Sequence, residues 1–470
     1  MISFNKNIVT ALILAASLSS CVVGKKYQRT DLNTPGHFRT TLAVTADSVQ
    51  LPWRTFFREP QLISLIEKAL NKNNEVAVAV KNIEQLDLAV KQARMGLLPT
   101  VNLNAGASRA WLSKNSLNGS LSEQFIGTSY MDDYSATLQV SWEADIWGKT
   151  KMQKEAAIAN YFGQQENLYA LKTRIISQVA QAYYNLISLD EQLKIARQNI
   201  ALSDSTLHML QLQYNAGQIN SLAVDQAEAQ KKTAELLVPL AMQNIAVQEN
   251  ALSILCGSYP DRIVREGSFA KAKPNAAFAS AIPAQLLSRR PDVKSAEYAV
   301  VGANARTGLA KAAMYPAFSL TPQIGANSFR FNRWFDLPGS MTRTLAINLT
   351  QPVFQKRALR TGYENAALDQ KIAVIQFKQT MLTAVGEVSD AMARSAGASE
   401  RIILAQERTA LLNKATNDAL KLYKSGMATY LEVITAQNNR LQNDLEAITI
   451  QLEQLNAVTD LYRALGGGVE

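Results

Sequence analysis

Polar and apolar residues alternate with period two in four short stretches of this chain, and long segments with helical periodicity separate them. Val101, Leu103, Ala105 and Ala107 interleave with Asn102, Asn104, Gly106 and Ser108. Tyr134, Ala136, Leu138, Val140 and Trp142 interleave with Ser135, Thr137, Gln139, Ser141 and Glu143. Phe318, Leu320 and Ile324 alternate with Ala317, Ser319, Thr321 and Gln323, and Leu345, Ile347 and Leu349 with Thr344, Ala346, Asn348 and Thr350. Period two predicts strands with one apolar and one polar face. The stretches pair into two hairpins, at about 99–148 and 316–355. Around them the pattern predicts helices over 61–97, 150–215 and 222–255, then over 284–314, 358–425 and 430–465. Along the second of these, Val179, Ala182, Leu186, Leu189, Leu193, Ala196, Ile200, Ser203, Leu207, Leu210 and Tyr214 recur at spacings of three and four, a sustained heptad seam. A helix of such length spans about 100 Å, far more than a globular domain needs. Gly217 and Gly426 mark sharp turns, at about 215–222 and 425–430. Pro239 falls inside a predicted helix and is expected to kink or interrupt it.

The two halves follow one plan. Pro99 and Pro316 stand 217 positions apart, and the same offset pairs Glu75 with Asp292, Val76 with Val293, Ala79 with Ala296 and Leu103 with Leu320. At an offset of 209, Tyr214 and Gly217 match Tyr423 and Gly426, and Leu222, Val224 and Ala227 match Leu431, Val433 and Ala436. Two ungapped blocks in the same order indicate duplication. The first copy holds eight extra residues, which fit the polar loop from Leu112 to Met131. The expected organisation is a first repeat at 61–256, a linker at 257–283, a second repeat at 284–465 and a tail at 466–470.

The N-terminus changes the picture. One cation, Lys6, precedes an apolar stretch from Ile8 to Leu18, and Ser17-Leu18-Ser19-Ser20-Cys21 closes it. Residues 1–20 therefore read as a signal peptide ending in a lipobox, with Cys21 the acylated first residue of the mature chain and 21–60 a lipidated extension. Val22 follows the cysteine rather than Asp, which favours the outer membrane. With Cys21 acylated, Cys256 has no partner for an intrachain disulfide. The net charge is +9, but the basic residues are scattered, and no nucleic-acid partner is expected. The pair Lys25-Lys26 stands just beyond the anchor, where it would meet lipid headgroups. The two histidines, His37 and His208, lie far apart without cysteine neighbours, so no metal or other cofactor is expected beyond the lipid on Cys21. No catalytic constellation gathers around a His, Cys or acidic pair, so the chain does not read as an enzyme.

After the signal, no apolar run is long enough to cross a bilayer as a helix, so a crossing must use strands. Trp142 and Trp147 near one strand end, and Trp111 and Trp334 near the other, suit interfacial girdles. Four strands cannot close a barrel, and open edges in lipid leave backbone groups unpaired at several kcal/mol each. Several chains would have to share one barrel. The alternative is a half-buried sheet in a soluble α+β domain.

On two stretches the chain resembles the TolC-like outer-membrane efflux factors, in their lipoprotein branch of OprM and NodT type. The first runs Leu286-Leu287-Ser288-Arg289-Arg290-Pro291-Asp292-Val293, then Ala296-Glu297, Ala303-Asn304-Ala305 and Gly308-Leu309-Ala310-Lys311-Ala312-Ala313. The second runs from Tyr423 and Gly426 to Tyr430-Leu431-Glu432-Val433-Ile434-Thr435-Ala436-Gln437. The resemblance implies a homotrimer with a twelve-stranded barrel, continued by an α-helical periplasmic barrel of coiled coils. It implies an exit duct of a tripartite efflux system, with an RND-type inner-membrane pump and a periplasmic adaptor docked at the tip turns of Gly217, Leu222 and Gly426. It further implies a tip gate at Leu431, Glu432 and Thr435, where Leu431 would supply an apolar gasket and Glu432 a carboxylate ring. Thr435 departs from the family's usual Asp, which removes a second acidic ring. The alternatives are a channel for protein secretion with an ABC transporter and a non-conducting periplasmic coiled-coil scaffold.

Overall fold

The computed structural model describes residues 23–29, 52–113, 115–128, 130–265, 268–274 and 289–468. The signal at 1–20, Cys21, His37 and Leu286–Ser288 lie outside the described residues. In chain order the helices are α1 (Trp53–Phe56), α2 (Pro60–Lys72), α3 (Asn74–Met95), α4 (Leu117–Ile126), α5 (Lys149–Asn215), α6 (Ser221–Leu255), α7 (Pro291–Ala312), α8 (Ala358–Lys424) and α9 (Tyr430–Ala464). The strands are β1 (Thr100–Trp111), β2 (Tyr130–Ala144), β3 (Ala317–Ser328) and β4 (Met341–Thr350).

The duplication is visible element by element. α3 and α7 have 22 residues each, β1 and β3 have 12, α5 and α8 have 67, and α6 and α9 have 35. Offsets of 217 before the second hairpin strand and 209 after it relate all of them. The loop between β1 and β2 carries α4, while a 3-10 turn at Phe331–Arg333 stands at the corresponding place between β3 and β4. The compact units nevertheless cut across the copies. One unit comprises Met1–Thr30, Glu84–Phe162 and Tyr298–Ile375, the other Asp31–Ile83, Gly163–Glu297 and Gln376–Glu470.

Two expectations need correction. The helix over 61–97 is two helices, because Asn73 leaves helical geometry (φ −66°, ψ 128°). Its carboxamide oxygen accepts from the amides of Glu75 and Val76 at 2.8 and 3.3 Å, starting α3, while its Nδ2 donates to the Leu255 carbonyl at 3.0 Å. Pro239 does not interrupt α6, which runs unbroken from Ser221 to Leu255. Pro239 is exposed, so water can take the carbonyl that its missing N–H leaves free.

The helical unit is held by the seam on α5. Val179, Leu186, Leu189, Ala196, Ser203, Leu207 and Leu210 are buried, whereas Tyr214 at its end is exposed. Trp53, Phe56 and Phe57 of the α1 region are buried, and Phe56 stacks on Tyr462 of α9 with ring centroids 4.2 Å apart. Cys256 is buried at the end of α6, and burial pushes its thiol above the ordinary value, so it is an inert packing residue. Arg265 ties the segment after α6 to α5, with its guanidinium on Asp190 and Glu249.

The other unit contains a four-stranded antiparallel sheet in the order β1-β2-β3-β4. Among the described residues no helix is long and apolar enough to cross a membrane.

Candidate functional sites: the strand faces and the helical tip

The register sorts the sheet into rows. Trp142, Leu320 and Ile347 form one row, Leu103, Leu138 and Ile324 another that ends on Arg343 at the β4 edge, and Ala105, Ala136, Ala326 and Met341 a third. These rows share one face. The alternate rows are polar: Asn102, Gln139, Gln323 and Thr344, then Glu143, Ser319 and Asn348. The apolar face is uncovered, with Leu103 75%, Leu345 66% and Leu349 72% exposed. Every residue of β1 is exposed on both sides, and neither β1 nor β4 has a strand on its outer edge among the described residues. An apolar face of this extent marks an interaction with lipid or protein, and open edges mark pairing with other strands.

The two ends of the sheet differ. At the helix-proximal end the Trp142 Nε1 donates to the Leu97 carbonyl at 3.0 Å. The Trp147 Nε1 donates to the Pro316 carbonyl at 2.7 Å, with its ring against Tyr315 at 4.9 Å. At the far end Trp111 is exposed, and Trp334 is half-buried beside Tyr134 and Phe335. Beyond the apolar rows, Arg109 makes a two-pronged pair with Asp132 at 2.5 and 2.8 Å and lies over the Tyr130 ring. The apolar band is thus bounded by aromatic residues at both ends, as sequence placement of the tryptophans anticipates.

In the helical unit, the turns at Gly217 and Gly426 have the same geometry. Gln218 N–H donates to the Gln213 carbonyl and Met427 N–H to the Leu422 carbonyl, each at 2.9 Å, closing the preceding helix. Both glycines take positive φ, +69° and +74°, which a side chain would strain. The two turns pack against each other through Leu207, Leu210, Ala227, Tyr423, Val433 and Ile434. Polar pairs lock the copies together across this core. Tyr423 Oη donates to Gln213, Tyr430 Oη donates to Gln226 Oε1 at 2.6 Å, and Gln437 Nε2 donates to Thr206 Oγ1 at 2.9 Å within the core. Burial raises the Tyr423 phenol above its ordinary value and keeps it a neutral donor.

The gate candidates fall together on α9. Val433, Ile434 and Gln437 face inward, while Leu431, Glu432 and Thr435 are all exposed on the first turn and a half. Leu431 is 57% exposed and therefore does not serve as packing within this chain. Leu222, its counterpart on α6, is likewise exposed. Glu432 has a local role that the sequence reading missed. Its Oε2 accepts from the Thr429 amide at 2.6 Å, and the Thr429 side chain reciprocates toward the helix, a capping box that starts α9. The signal was present as Thr429-x-x-Glu432. The tyrosine–glutamine pairs had no such signal, because their partners stand some two hundred residues apart.

The model for the outer membrane efflux protein family matches residues 65–258 and 282–467. The chain belongs to that family. Among curated relatives, the toluene efflux pump outer membrane protein TtgF of Pseudomonas putida is 30% identical over 421 residues, 89% of this chain and 86% of TtgF. The probable outer membrane lipoprotein SilC of Salmonella typhimurium is 27% identical over 98% of both chains. Among solved structures, CusC, described in terms of transmembrane channel formation, superposes with a TM-score of 0.85 at 26% identity, covering 95% of this chain and 100% of that one. The fold is that of the TolC-like channels, and the chain is an outer-membrane efflux protein. No group of His, Cys, Asp or Glu among the described residues has the arrangement of a metal site.

Proposed function

We propose that three copies of this chain form the exit duct of a tripartite efflux system that passes drugs or other small toxic compounds outward. The observation that carries this is the open sheet, with uncovered edges, one apolar face and one polar face. Pairing β4 of one copy with β1 of the next satisfies the edges, turns the apolar rows to lipid and turns the polar rows to a wet lumen. Three copies of four strands give a twelve-stranded barrel. An RND-type inner-membrane pump supplies the energy, and a periplasmic adaptor docks at the turns of Gly217, Leu222 and Gly426.

Acylation of Cys21 anchors the mature chain. Two residues downstream, the Val23 amide donates to the Trp147 carbonyl at 3.3 Å, which supports an anchor beside the aromatic end of the apolar band. The name of SilC as a lipoprotein agrees with this. The relatives' names span toluene and other cargoes, in keeping with a duct whose substrate is chosen by the pump.

The open face of α9 at the tip supplies the gate. A three-fold axis converts Leu431 into an apolar ring and Glu432 into a ring of three carboxylates. Glu432→Gln is expected to preserve the start of α9, since glutamine also closes a capping box, while lowering the preference for cations. Reversal potentials in a salt gradient across a planar bilayer read this directly, and unchanged potentials remove Glu432 from the constriction.

Retention of an amphipathic fluorescent dye in cells lacking the chain tests the transport reading. Retention is expected to rise and to return on complementation. If it does not change while the secreted proteins of the same strain do, the duct serves protein secretion. A purified chain without conductance in a bilayer is a scaffold.

A further inference from the structure

A cavity of about 690 Å³ lies in the strand-bearing unit, where residues 23–25 pass over α7 and α8. Three ammonium groups line it, Lys25, Lys311 and Lys371, and no carboxylate does. None of the three has an ion-pair partner among the described residues. One wall is apolar, with Val374 and the exposed Ile375, and Tyr363 adds a phenol. Cationic groups beside an apolar wall match an amphiphilic anion better than a free ion.

The short arm that closes this cavity is built, not draped. The Asn304 Nδ2 donates to the Lys25 carbonyl at 2.8 Å, and the Gln370 Nε2 donates to the Asn304 Oδ1 at 3.1 Å. Gly24 crosses Gly308 so closely that a Cβ on Gly308 would stand 3.2 Å from the Gly24 Cα, and a Cβ on either glycine would run into the Met152 side chain. The arm enters at Trp147, which bounds the apolar rows, and Lys311 lies in the last turn of α7, just before β3. The carbonyls at a helix C-terminus attract one cation, which accounts for Lys311 alone. They leave Lys25 and Lys371 unexplained.

We propose that this cavity binds the phosphate headgroup of an anionic phospholipid, with an acyl chain along Val374 and Ile375. The proposal rests on the membrane reading above, which sets the aromatic end of the sheet at a bilayer interface. Basic pockets between helices at a membrane surface bind such headgroups, and each lysine is worth roughly a fivefold change in affinity. The bound lipid would hold the arm, and with it the anchor, against the base of the sheet.

The test is native mass spectrometry of the full mature chain, titrated with phosphatidylglycerol and, separately, with phosphatidylcholine. Preferential retention of phosphatidylglycerol is expected. Lys371→Gln, at an exposed position, is expected to weaken it roughly fivefold, and Lys311→Gln with Lys371→Gln about twenty-fivefold. Gly24→Val, which displaces the arm, is expected to reduce it without removing a charge. Equal retention of the two lipids, or retention indifferent to Lys371→Gln, overturns the proposal. Inorganic phosphate that displaces phosphatidylglycerol as effectively as added lipid also overturns it, in favour of a free-anion site. Bilayer conductance measured on the same samples keeps the two readings apart: a conducting chain without lipid preference loses only this site, and a lipid-selective chain without conductance loses only the duct.

Discussion

Alanine at Arg290 is expected to destabilise the helical unit by about 2–3 kcal/mol, below the range for a fully buried ion pair broken from one side, because its carboxylate partners are 39% and 29% exposed. Arg290 is only 5% exposed. Its Nε and Nη2 grip both oxygens of Asp292 at 3.0 and 2.7 Å, Nη2 also reaches Glu387 at 2.7 Å, and Nη1 donates to the Ala464 carbonyl at 2.8 Å. One side chain therefore joins the start of α7, the middle of α8 and the end of α9. Burial works against the cation, but its hydrogen bonds with Asp292 and Glu387 outweigh this and raise its pKa, so it stays charged. Removing it strands the Asp292 carboxylate and an orphan carbonyl at a helix end, and leaves Glu387 with Arg463 alone at 3.5 Å. Lysine keeps the charge but not the planar fork, and Arg290→Lys is expected to fall between wild type and alanine. Heat-induced loss of helicity and protease resistance in detergent measure the effect. A shift no larger than that of an exposed control such as Arg408→Ala would show that the cluster is dispensable. The Arg-Pro-Asp stretch that carried the family resemblance is thus a fastening of the fold.

Arginine at Leu103 is expected to impair membrane assembly by about 2–4 kcal/mol, whereas arginine at the adjacent Asn104 is expected to be nearly neutral. The two positions are neighbours on β1, equally near the open edge, and differ only in the face they occupy. Leu103 shares a row with Leu138, Ile324 and, on the opposite edge strand, Arg343, and Asn104 shares one with Thr137, Gly325 and Thr342. A lipid-facing row leaves the guanidinium in hydrocarbon, while a wet lumen solvates it. The fraction assembled into heat-resistant oligomers in outer-membrane extracts gives the readout. Equal losses at the two positions would mean that both faces meet the same medium, and the barrel reading would fall with them.

The alternation of Val101, Leu103 and Ala105 with Asn102, Asn104 and Gly106 was enough to define strands and their faces, because a period of two leaves no freedom once an apolar face exists. The heptad seam on α5, the helix-ending turns at Gly217 and Gly426, and the duplication were equally legible, since each depends on local spacing. The break at Asn73 was not. An asparagine inside a periodic pattern becomes a cap only when its amide also finds the distant Leu255 carbonyl. The continuity of α6 through Pro239 was also decided in three dimensions, by exposure of the proline to water.

At the tip the family resemblance singled out Leu431, Glu432 and Thr435, and the fold decided that all three share one open face. It did so by turning Val433, Ile434 and Gln437 inward against the other copy. The Tyr423–Gln213 and Tyr430–Gln226 pairs, and the contacts of Arg290 with Glu387 and the Ala464 carbonyl, join residues far apart in the chain. Periodicity reports only what a residue does to its own element. Which polar groups meet across elements depends on how those elements pack, and that is settled only by the tertiary structure.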